Sequence, residues 1–429
     1  MTNTNDPSAS VGTQHGNGKR KAPRLAVRPT SIRSALLNWA FYPGVKAMLA
    51  RPLVRTILVA LALWAHAEPG KALTWRVVTE YPSATMSGNG VATFARFVNA
   101  HHHTGLRIAA EYESPVRSAD IAEATHANLI QGGDAFGGGL AKIDPVFQLS
   151  SLPFVANSIE DARRLAYVAR DTYRRAFADR GLHLLYVTPW PPTGLWSDRP
   201  IRTIADLHGL TVRTYDPASE SVMQAAGAAA ITIAFADIIG RLEQREVNAV
   251  LSSGDGAAGA KLARYLDNFT AINYAIPLSF FVVSEAAYQN LTARQRRVVD
   301  TAAKQTEAYQ WASVQQRVDH NLKSMRAGGV IIAPNVNPML IDTLKHRAQR
   351  VVKQWIARVG PLGASLLGDY CRTTAKSSNC PRTTDRQVND GFAAPTQSGR
   401  HAAVPIRVAA RSTDAVATAR HIQAILGSP

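Results

Sequence analysis

The amino-acid sequence predicts an α/β protein whose strands are joined by crossover helices. Short apolar runs of strand length alternate along the chain with longer segments whose apolar residues recur at helical spacing. Such alternation is typical of sheets covered by helices and not of a helical bundle or a β-sandwich. The composition agrees, because 46% of the 429 residues are hydrophobic and only 18% are charged.

The alternation starts near residue 73 and falls into two blocks. The first block has predicted strands at 73–79, 106–112 and 182–187 and predicted helices at 91–99, 119–129 and 159–179. The second has predicted strands at 210–214, 230–233, 249–252, 271–274 and 278–283 and long predicted helices at 293–325 and 338–356. Residues 82–90, rich in Ser and Gly, are predicted to form a loop, and the glycine-rich residues 132–139 are predicted to break the chain between elements.

The net charge of +17 would suggest nucleic-acid binding if it lay on the folded body. It is concentrated at the ends instead. Residues 1–67 have nine basic residues against one acidic, and residues 371–429 have eight against three, so the body is close to balanced. No nucleic-acid partner is therefore expected.

An apolar run near the amino terminus predicts export. Arg51 and Arg55 precede the run 57–65, which ends in the small-x-small sequence 65–67. These are the three parts of a secretory signal. Nine apolar residues span only about 14 Å as a helix, too short for a bilayer core of about 30 Å. Cleavage is expected after Ala67, which would release the mature protein into the periplasm.

The two ends of the chain are expected to lie outside the fold. Residues 48–67 have the proportions of a complete signal peptide, so Met48 is the expected start and 1–47 an over-extended terminus. Residues 371–429 are rich in Thr, Ser, Pro and Arg, and they predict a poorly ordered tail. Cys371 and Cys380 in this tail lack zinc-site spacing, and whether they form a disulfide stays open.

Four segments carry a resemblance to a known family. They are residues 144–154 (DPVFQLSSLPF), 197–210 (SDRPIRTIADLHGL), 211–215 (TVRTY) and 227–249 (GAAAITIAFADIIGRLEQREVNA). In this order and spacing, the sequence resembles the extracytoplasmic solute receptors of tripartite ATP-independent periplasmic (TRAP) transporters. The resemblance covers residues 73–370.

This resemblance implies a two-lobed periplasmic binding protein fold, with a ligand cleft between the lobes, crossing strands and a long spanning helix. The expected lobes are 68–190 with 280–318 and 191–279 with 319–370. Such receptors bind a small organic acid, deliver it to the membrane subunits of a TRAP permease and catalyse nothing. We therefore expect no catalytic residue, no cofactor, no metal and a monomeric protein.

The ligand anchor is expected to be Arg213. In the family, an Arg at this position of the strand pairs with the ligand carboxylate. Guanidinium offers two parallel donors that match a carboxylate, and an Arg inside an apolar strand needs an anion because burying it unpaired is costly. The alternative is an ion pair with a protein carboxylate such as Asp206 or Asp216.

Further ligand contacts are expected from residues near the lobe crossing and the strand ends. They are Trp190, Thr193, Trp196, Tyr215, Asp237, Ser252 and Phe280. Core packing is an equal alternative for the two tryptophans, and one of Phe280 and Phe281 is expected in the core because adjacent strand residues face opposite ways. Apolar residues replace several polar positions of the family pattern, notably Val250 and Leu251, which argues against a highly hydroxylated ligand such as a sugar acid.

Other signals are weak. Three adjacent histidines at 101–103 lack the spacing of a zinc helix, and residues 88–90 lack the third glycine of a dinucleotide site. Residues 252–256 lack the nucleophile elbow of hydrolases. The alternatives to a TRAP receptor are a receptor for another importer or sensor and, less favoured, an exported hydrolase.

Overall fold

The structure, a computed structural model, describes residues 73–373. The predicted signal segment, its cleavage site, the start at Met48 and the tail from residue 374, including Cys380, lie outside these residues. No helix within 73–373 combines the length and apolarity needed to span a membrane.

The first sheet has five strands in the order β2-β1-β3-β10-β4. These strands are β1 (Leu73–Val78), β2 (Leu106–Glu111), β3 (Gly132–Phe136), β4 (Leu182–Pro189) and β10 (Leu278–Ser284). β1 pairs in parallel with β2 and β3, whereas β10 runs antiparallel to β3 and β4. Helices α1 (Met86–Asn99), α2 (Ile121–His126) and α3 (Ile159–Ala178) pack on it and complete lobe I.

The second sheet has six strands in the order β11-β9-β5-β8-β6-β7. These strands are β5 (Gly194–Ser197), β6 (Thr211–Thr214), β7 (Ala229–Thr232), β8 (Ala249–Ser252), β9 (Asn268–Thr270) and β11 (Ile331–Ile332). The connecting helices of lobe II are α4 (Pro217–Ala225), α5 (Ile238–Glu243) and α6 (Ala257–Leu262). The predicted two-lobed α/β architecture is confirmed.

Two extended segments and one helix join the lobes. The segment after β4 and the segment before β10 hydrogen-bond to each other, with Trp190 N to Pro277 O at 2.9 Å and Thr193 N to Ala275 O at 2.8 Å. After α7 (Glu285–Gln289), the 35-residue helix α8 (Ala293–Ala327) packs on α1 and β4 in lobe I and on α6 and β11 in lobe II. The predicted crossing strands and long spanning helix are both present.

The hydrophobic core covers both faces of the first sheet. Phe280 and Phe281 are fully buried on opposite faces of β10, because successive strand residues alternate in direction. Phe280 packs with Phe147, and Phe281 with Phe94. Both residues therefore lie in the core, whereas only one of them was expected there.

Residues 132–139 do not break the chain as predicted, because residues 132–136 form the central strand β3. A Cβ at Gly132 would lie 2.5 Å from the carbonyl oxygen of Val282, and one at Gly133 would lie 2.7 Å from that of Val78. Glycine is needed where neighbouring backbones come this close. These glycines therefore allow neighbouring strands to pack closely and do not form a turn.

Several other element boundaries differ from the predictions, three of them with consequences for the fold. α1 begins at Met86 inside the predicted loop, because the Thr85 hydroxyl accepts a hydrogen bond from the Gly88 amide and caps the helix there. The strand predicted at 271–274 lies instead at 268–270, where it pairs with β5 and β11. After α9 (Pro338–Val359), a further helix, α10 (Pro361–Thr373), includes Cys371. The residue ranges expected for the lobes stay a prediction.

Candidate ligand-binding site

Arg213 lies in the middle of β6, between β7 and β8, and is only 5% exposed. Its Nε donates to the carbonyl oxygen of Ile233 at 2.8 Å, and its Nη1 donates to that of Leu251 at 3.3 Å. Within residues 73–373 it forms no ion pair. These bonds hold the guanidinium in place without neutralising its charge.

The two protein carboxylates considered as alternative partners of Arg213 are engaged elsewhere. Asp206 accepts from the Thr203 amide at 2.7 Å and caps a short 3₁₀ turn. Asp216 accepts from the Ser151 hydroxyl at 2.6 Å and from the Ser219 amide at 2.8 Å, which caps α4. Neither carboxylate is paired with Arg213.

Burial lowers the pKa of the Arg213 guanidinium to about 10, against the raising influence of neighbouring tyrosines and carboxylates. The group therefore stays protonated at neutral pH. A buried cation that lacks an ion-pair partner favours an anion in the adjacent space, since an uncompensated buried charge is costly.

That space is a cavity between the lobes of about 450 Å³, counting the part open to solvent. Its lining residues come from both lobes and from the crossing segments: Tyr81, Phe136, Trp190, Thr193, Arg213, Tyr215, Phe235, Ser252, Ser253, Asp255, Ala258 and Pro277. A buried cation in a wall of which five of the twelve residues are aromatic is an arrangement that can bind a small organic anion.

The aromatic wall is one contiguous cluster. The Tyr81 ring lies 4.7 Å from Trp190 and 4.9 Å from Phe235, and the Phe136 ring lies 5.4 Å from Tyr215, measured between centroids. Tyr81 and Phe136 belong to lobe I, whereas Tyr215 and Phe235 belong to lobe II. Separation of the lobes would therefore take this wall apart.

A second charged group, Glu80, lies beside the cavity at the carboxyl end of β1. It lines an adjoining space that shares Phe235 and Ala258 with the cavity. Its Oε1 accepts from the Ser118 amide at 2.8 Å, whereas its Oε2 is buried with no hydrogen-bond partner within 73–373. Burial raises the pKa of Glu80, although Ser118 and two nearby arginines lower it.

The structure brings five of the eight expected ligand contacts to the cavity: Trp190, Thr193, Arg213, Tyr215 and Ser252. The other three are Trp196, Phe280 and Asp237, and they do not line it.

Trp196 and Phe280 are fully buried in the core. Trp196 packs on Phe269, with 5.2 Å between ring centroids, in a core cluster of lobe II. Asp237 is half exposed and pairs with Arg117 at 2.8 Å on the rim of the cleft. Burial in the core thus keeps the two aromatic residues away from the cavity, and the ion pair with Arg117 holds Asp237 outside it.

Three aromatic lining residues, Tyr81, Phe136 and Phe235, were missed from the sequence. Each follows or ends a strand, at the carboxyl end where α/β proteins place ligands. That signal was available for Tyr81, because β1 was predicted. It was hidden for Phe136, because β3 was interpreted as a chain break.

A buried carboxylate, Asp134, lies behind the cavity wall on β3. It accepts a hydrogen bond from the Ser87 hydroxyl and interacts with Ser279, whose Oγ in turn accepts from the Trp190 indole at 2.9 Å. Burial raises the pKa of Asp134 to about 6, partly offset by the two serines. Asp134 is therefore more easily ionised in the unfolded chain than in the fold.

We expect Asp134→Asn to stabilise the protein in a pH-dependent way. The native pKa lies above the unfolded value of 3.8, so the wild type loses stability as pH rises from about 4 to about 6. The shift in pKa corresponds to a loss of roughly 3 kcal/mol in the free energy of unfolding. The Asn variant would not show this loss, because its amide does not ionise. Urea unfolding of both proteins at pH 4.5 and pH 7.5 measures this. If the free energies of unfolding of the two proteins differed by the same amount at both pH values, the prediction would be wrong.

Comparison with known proteins identifies relatives over the whole described body. The sequence profile of "Bacterial extracellular solute-binding protein, family 7" matches residues 78–358. The ectoine/5-hydroxyectoine-binding periplasmic protein UehA of Ruegeria pomeroyi is 22% identical over 327 residues, 75% of this chain and 95% of that protein. The 2,3-diketo-L-gulonate-binding periplasmic protein YiaO of Escherichia coli is 23% identical over 53% of this chain and 69% of its own length.

Solved structures give the same fold. DctP7 of Bordetella pertussis, an extracytoplasmic solute receptor binding pyroglutamic acid, superimposes with a TM-score of 0.67 at 24% identity and covers 70% of this chain and all of its own. The ectoine-binding protein of the TeaABC TRAP transporter of Halomonas elongata has a TM-score of 0.64 at 18% identity and covers 69% of this chain and 97% of its own. At sequence identities below 25%, this structural similarity establishes the fold alone.

The family comprises binding proteins and not enzymes, and the curated relatives are periplasmic. The profile match covers well over half of the chain, and the two-lobed fold agrees with it. The chain therefore belongs to the family 7 bacterial extracellular solute-binding proteins, the solute receptors of TRAP transporters.

Proposed function

We propose that this receptor binds a small carboxylate in the cavity between its lobes and that Arg213 pairs with the carboxylate. The observation that carries the proposal is the buried, protonated guanidinium, which lines the cavity and has no ion-pair partner within residues 73–373. Delivery of the solute to the TRAP permease subunits is implied by the family. The proposal includes a monomeric receptor that is not an enzyme.

The proposal also covers the shape of the ligand. Trp190, Tyr215 and Phe235 line the same cavity as Arg213, and aromatic walls suit a compact ring better than a chain of hydroxyl groups. The Glu80 oxygen that has no partner within residues 73–373 favours a ligand that carries an N–H group as well as a carboxylate. Pyroglutamate and ectoine, named for the relatives above, both combine a small ring, at least one N–H group and one carboxylate.

Thermal unfolding with added solutes tests this choice. We expect pyroglutamate or ectoine to raise the melting temperature, because a ligand at a hundred times its Kd stabilises the folded state by about 2.7 kcal/mol. D-Glucuronate, with several hydroxyl groups, is the control and should have little effect. Mass spectrometry of solute retained through native purification provides an independent identification. A response to glucuronate alone would contradict the proposed ligand class.

The proposal includes export through the segment before residue 68. Cleavage after Ala67 would leave Glu68 at the amino terminus of the mature protein, and the Arg-flanked apolar run supports it.

A further inference from the structure

A short loop of lobe II reaches across the cleft to lobe I. It follows β8 and contains Asp255 between Gly254 and Gly256, both of which have positive φ, +62° and +52°. A Cβ on Gly256 would lie only 2.4 Å from the carbonyl oxygen of Ala84 in lobe I. Glycine at position 256 thus allows the loop to approach the other lobe closely.

The Asp255 carboxylate is fully shielded from solvent and makes three contacts. Its Oδ2 accepts from the Met86 amide, the first residue of α1 in lobe I, at 2.5 Å. Its Oδ1 accepts from Asn321 Nδ2 at 2.8 Å and lies 3.0 Å from Arg317 Nε, both on α8. A carboxylate at a helix amino terminus is also favoured by the helix dipole.

The same two α8 residues hold both sides of the cleft. Arg317 Nη2 donates to the Ala84 carbonyl oxygen of lobe I, and Asn321 Oδ1 accepts from the Gly256 amide of lobe II at 3.2 Å. Positions 317 and 321 are four residues apart, so they lie on one face of the helix. Lobe I, lobe II and the spanning helix therefore meet at Asp255.

The bond from Met86 to Asp255 is not needed to cap α1. That helix has its own cap in lobe I, where the Thr85 hydroxyl accepts from the Gly88 amide at 3.1 Å. The contact therefore joins the lobes and does not simply complete a helix. Asp255 also lines the ligand cavity, so it lies where a bound solute would bring the lobes together.

Two other charged pairs bridge the lobes, but they lie on the exposed rim of the cleft. These are Arg117 with Asp237 at 2.8 Å and Lys261 with Glu113 at 2.7 Å, with side chains one-third or more exposed. Exposed ion pairs contribute little because water and salt screen them. Buried, charge-assisted hydrogen bonds such as those of Asp255 are stronger.

We propose that Asp255 is the latch of the closed receptor, a positioning residue that binds the amino terminus of α1 and the Arg317–Asn321 face of α8 only when the cleft is shut. The latch rests on the proposed function, binding of a solute between the lobes, and adds that the lobes close over it. It does not depend on which solute is bound. Loss of the latch lowers the population of the closed form and so raises the rate at which a bound solute escapes.

Cross-linking across the cleft tests the latch without any solute. Cysteines replace the rim pair as Arg117→Cys and Asp237→Cys, and a short bismaleimide joins them only while the cleft is closed. The rate of cross-linking therefore reports the closed population even when it is small. Asp255→Ala in this background should slow cross-linking at least about fivefold, because the loss of its buried charge-assisted contacts lowers the closed population.

The matched control is Asp319→Ala, which removes an exposed acid of α8 that contacts Gln315 on the same helix and does not reach lobe I. It should cross-link at the unmodified rate. If Asp255→Ala does not fold, Asp255→Asn keeps an acceptor for the Met86 amide but loses the charge opposite Arg317, and it should also slow the reaction. A folded Asp255 variant that cross-links at the unmodified rate overturns the proposal.

Pyroglutamate release gives a second readout on the otherwise unmodified chain. Asp255→Ala should raise the dissociation rate about tenfold or more, in line with the usual effect of such losses on release and not on association. An unchanged rate would count against the latch. If the wild type binds neither pyroglutamate nor ectoine, the proposed ligand class fails, and the cross-linking rate still decides the latch.

Discussion

Replacing Arg213 by alanine should lower the affinity for the carboxylate ligand at least about a hundredfold and leave a folded protein. One charge-assisted hydrogen bond is worth about 1.5–3 kcal/mol, and a bidentate pair gives two. At about 1.4 kcal/mol per tenfold change in Kd, the loss of both corresponds to two decades or more. Isothermal titration with pyroglutamate, or with the solute identified by mass spectrometry, measures the effect.

Arg213→Lys should lower the affinity for the ligand nearly as much, because an ammonium group cannot present the planar pair of donors. Its single nitrogen also cannot reproduce the arrangement in which two separate guanidinium nitrogens donate to the carbonyl oxygens of Ile233 and Leu251. The matched control is Arg117→Ala, which removes a cation on the rim of the cleft and should leave the affinity within severalfold of wild type. A folded Arg213→Ala protein with wild-type affinity would refute the proposed site.

Phe280→Ala should destabilise the protein by about 3–5 kcal/mol, the usual loss when a fully buried aromatic side chain is truncated. The ring has no exposed surface and lies 4.7 Å from Tyr173, 5.5 Å from Phe147 and 5.6 Å from Phe177. Its removal would leave a cavity in the core of lobe I. Urea unfolding at constant pH measures the change in the free energy of unfolding.

The affinity of the folded fraction should remain close to that of the wild type, because Phe280 does not line the ligand cavity. Tyr167→Ala is the control, since this ring is 83% exposed and its loss should change stability by well under 1 kcal/mol. If Phe280→Ala instead kept its stability and lost its ligand, the residue would be a ligand contact after all.

Arg213 could be singled out from the sequence because its signals are local. It lies within a short strand between apolar neighbours, inside a segment that resembles a family motif, and both features are read from adjacent residues. The same local signals predicted β1, β2, β4 and the long helix α8. Trp190 and Tyr215 were also found this way, since each lies within two residues of a predicted strand or of the lobe crossing.

The sequence by itself determined the fold class, several of the strands and helices and the strand position of the buried cation, because those properties depend on the periodicity of neighbouring residues. The tertiary structure alone decided which side chains share the cleft. Met86 and Asp255 are 169 positions apart, and no local pattern couples them. It also decided that Phe280 belongs to the core, because the face of a strand that becomes the ligand cavity depends on how the two lobes pack together.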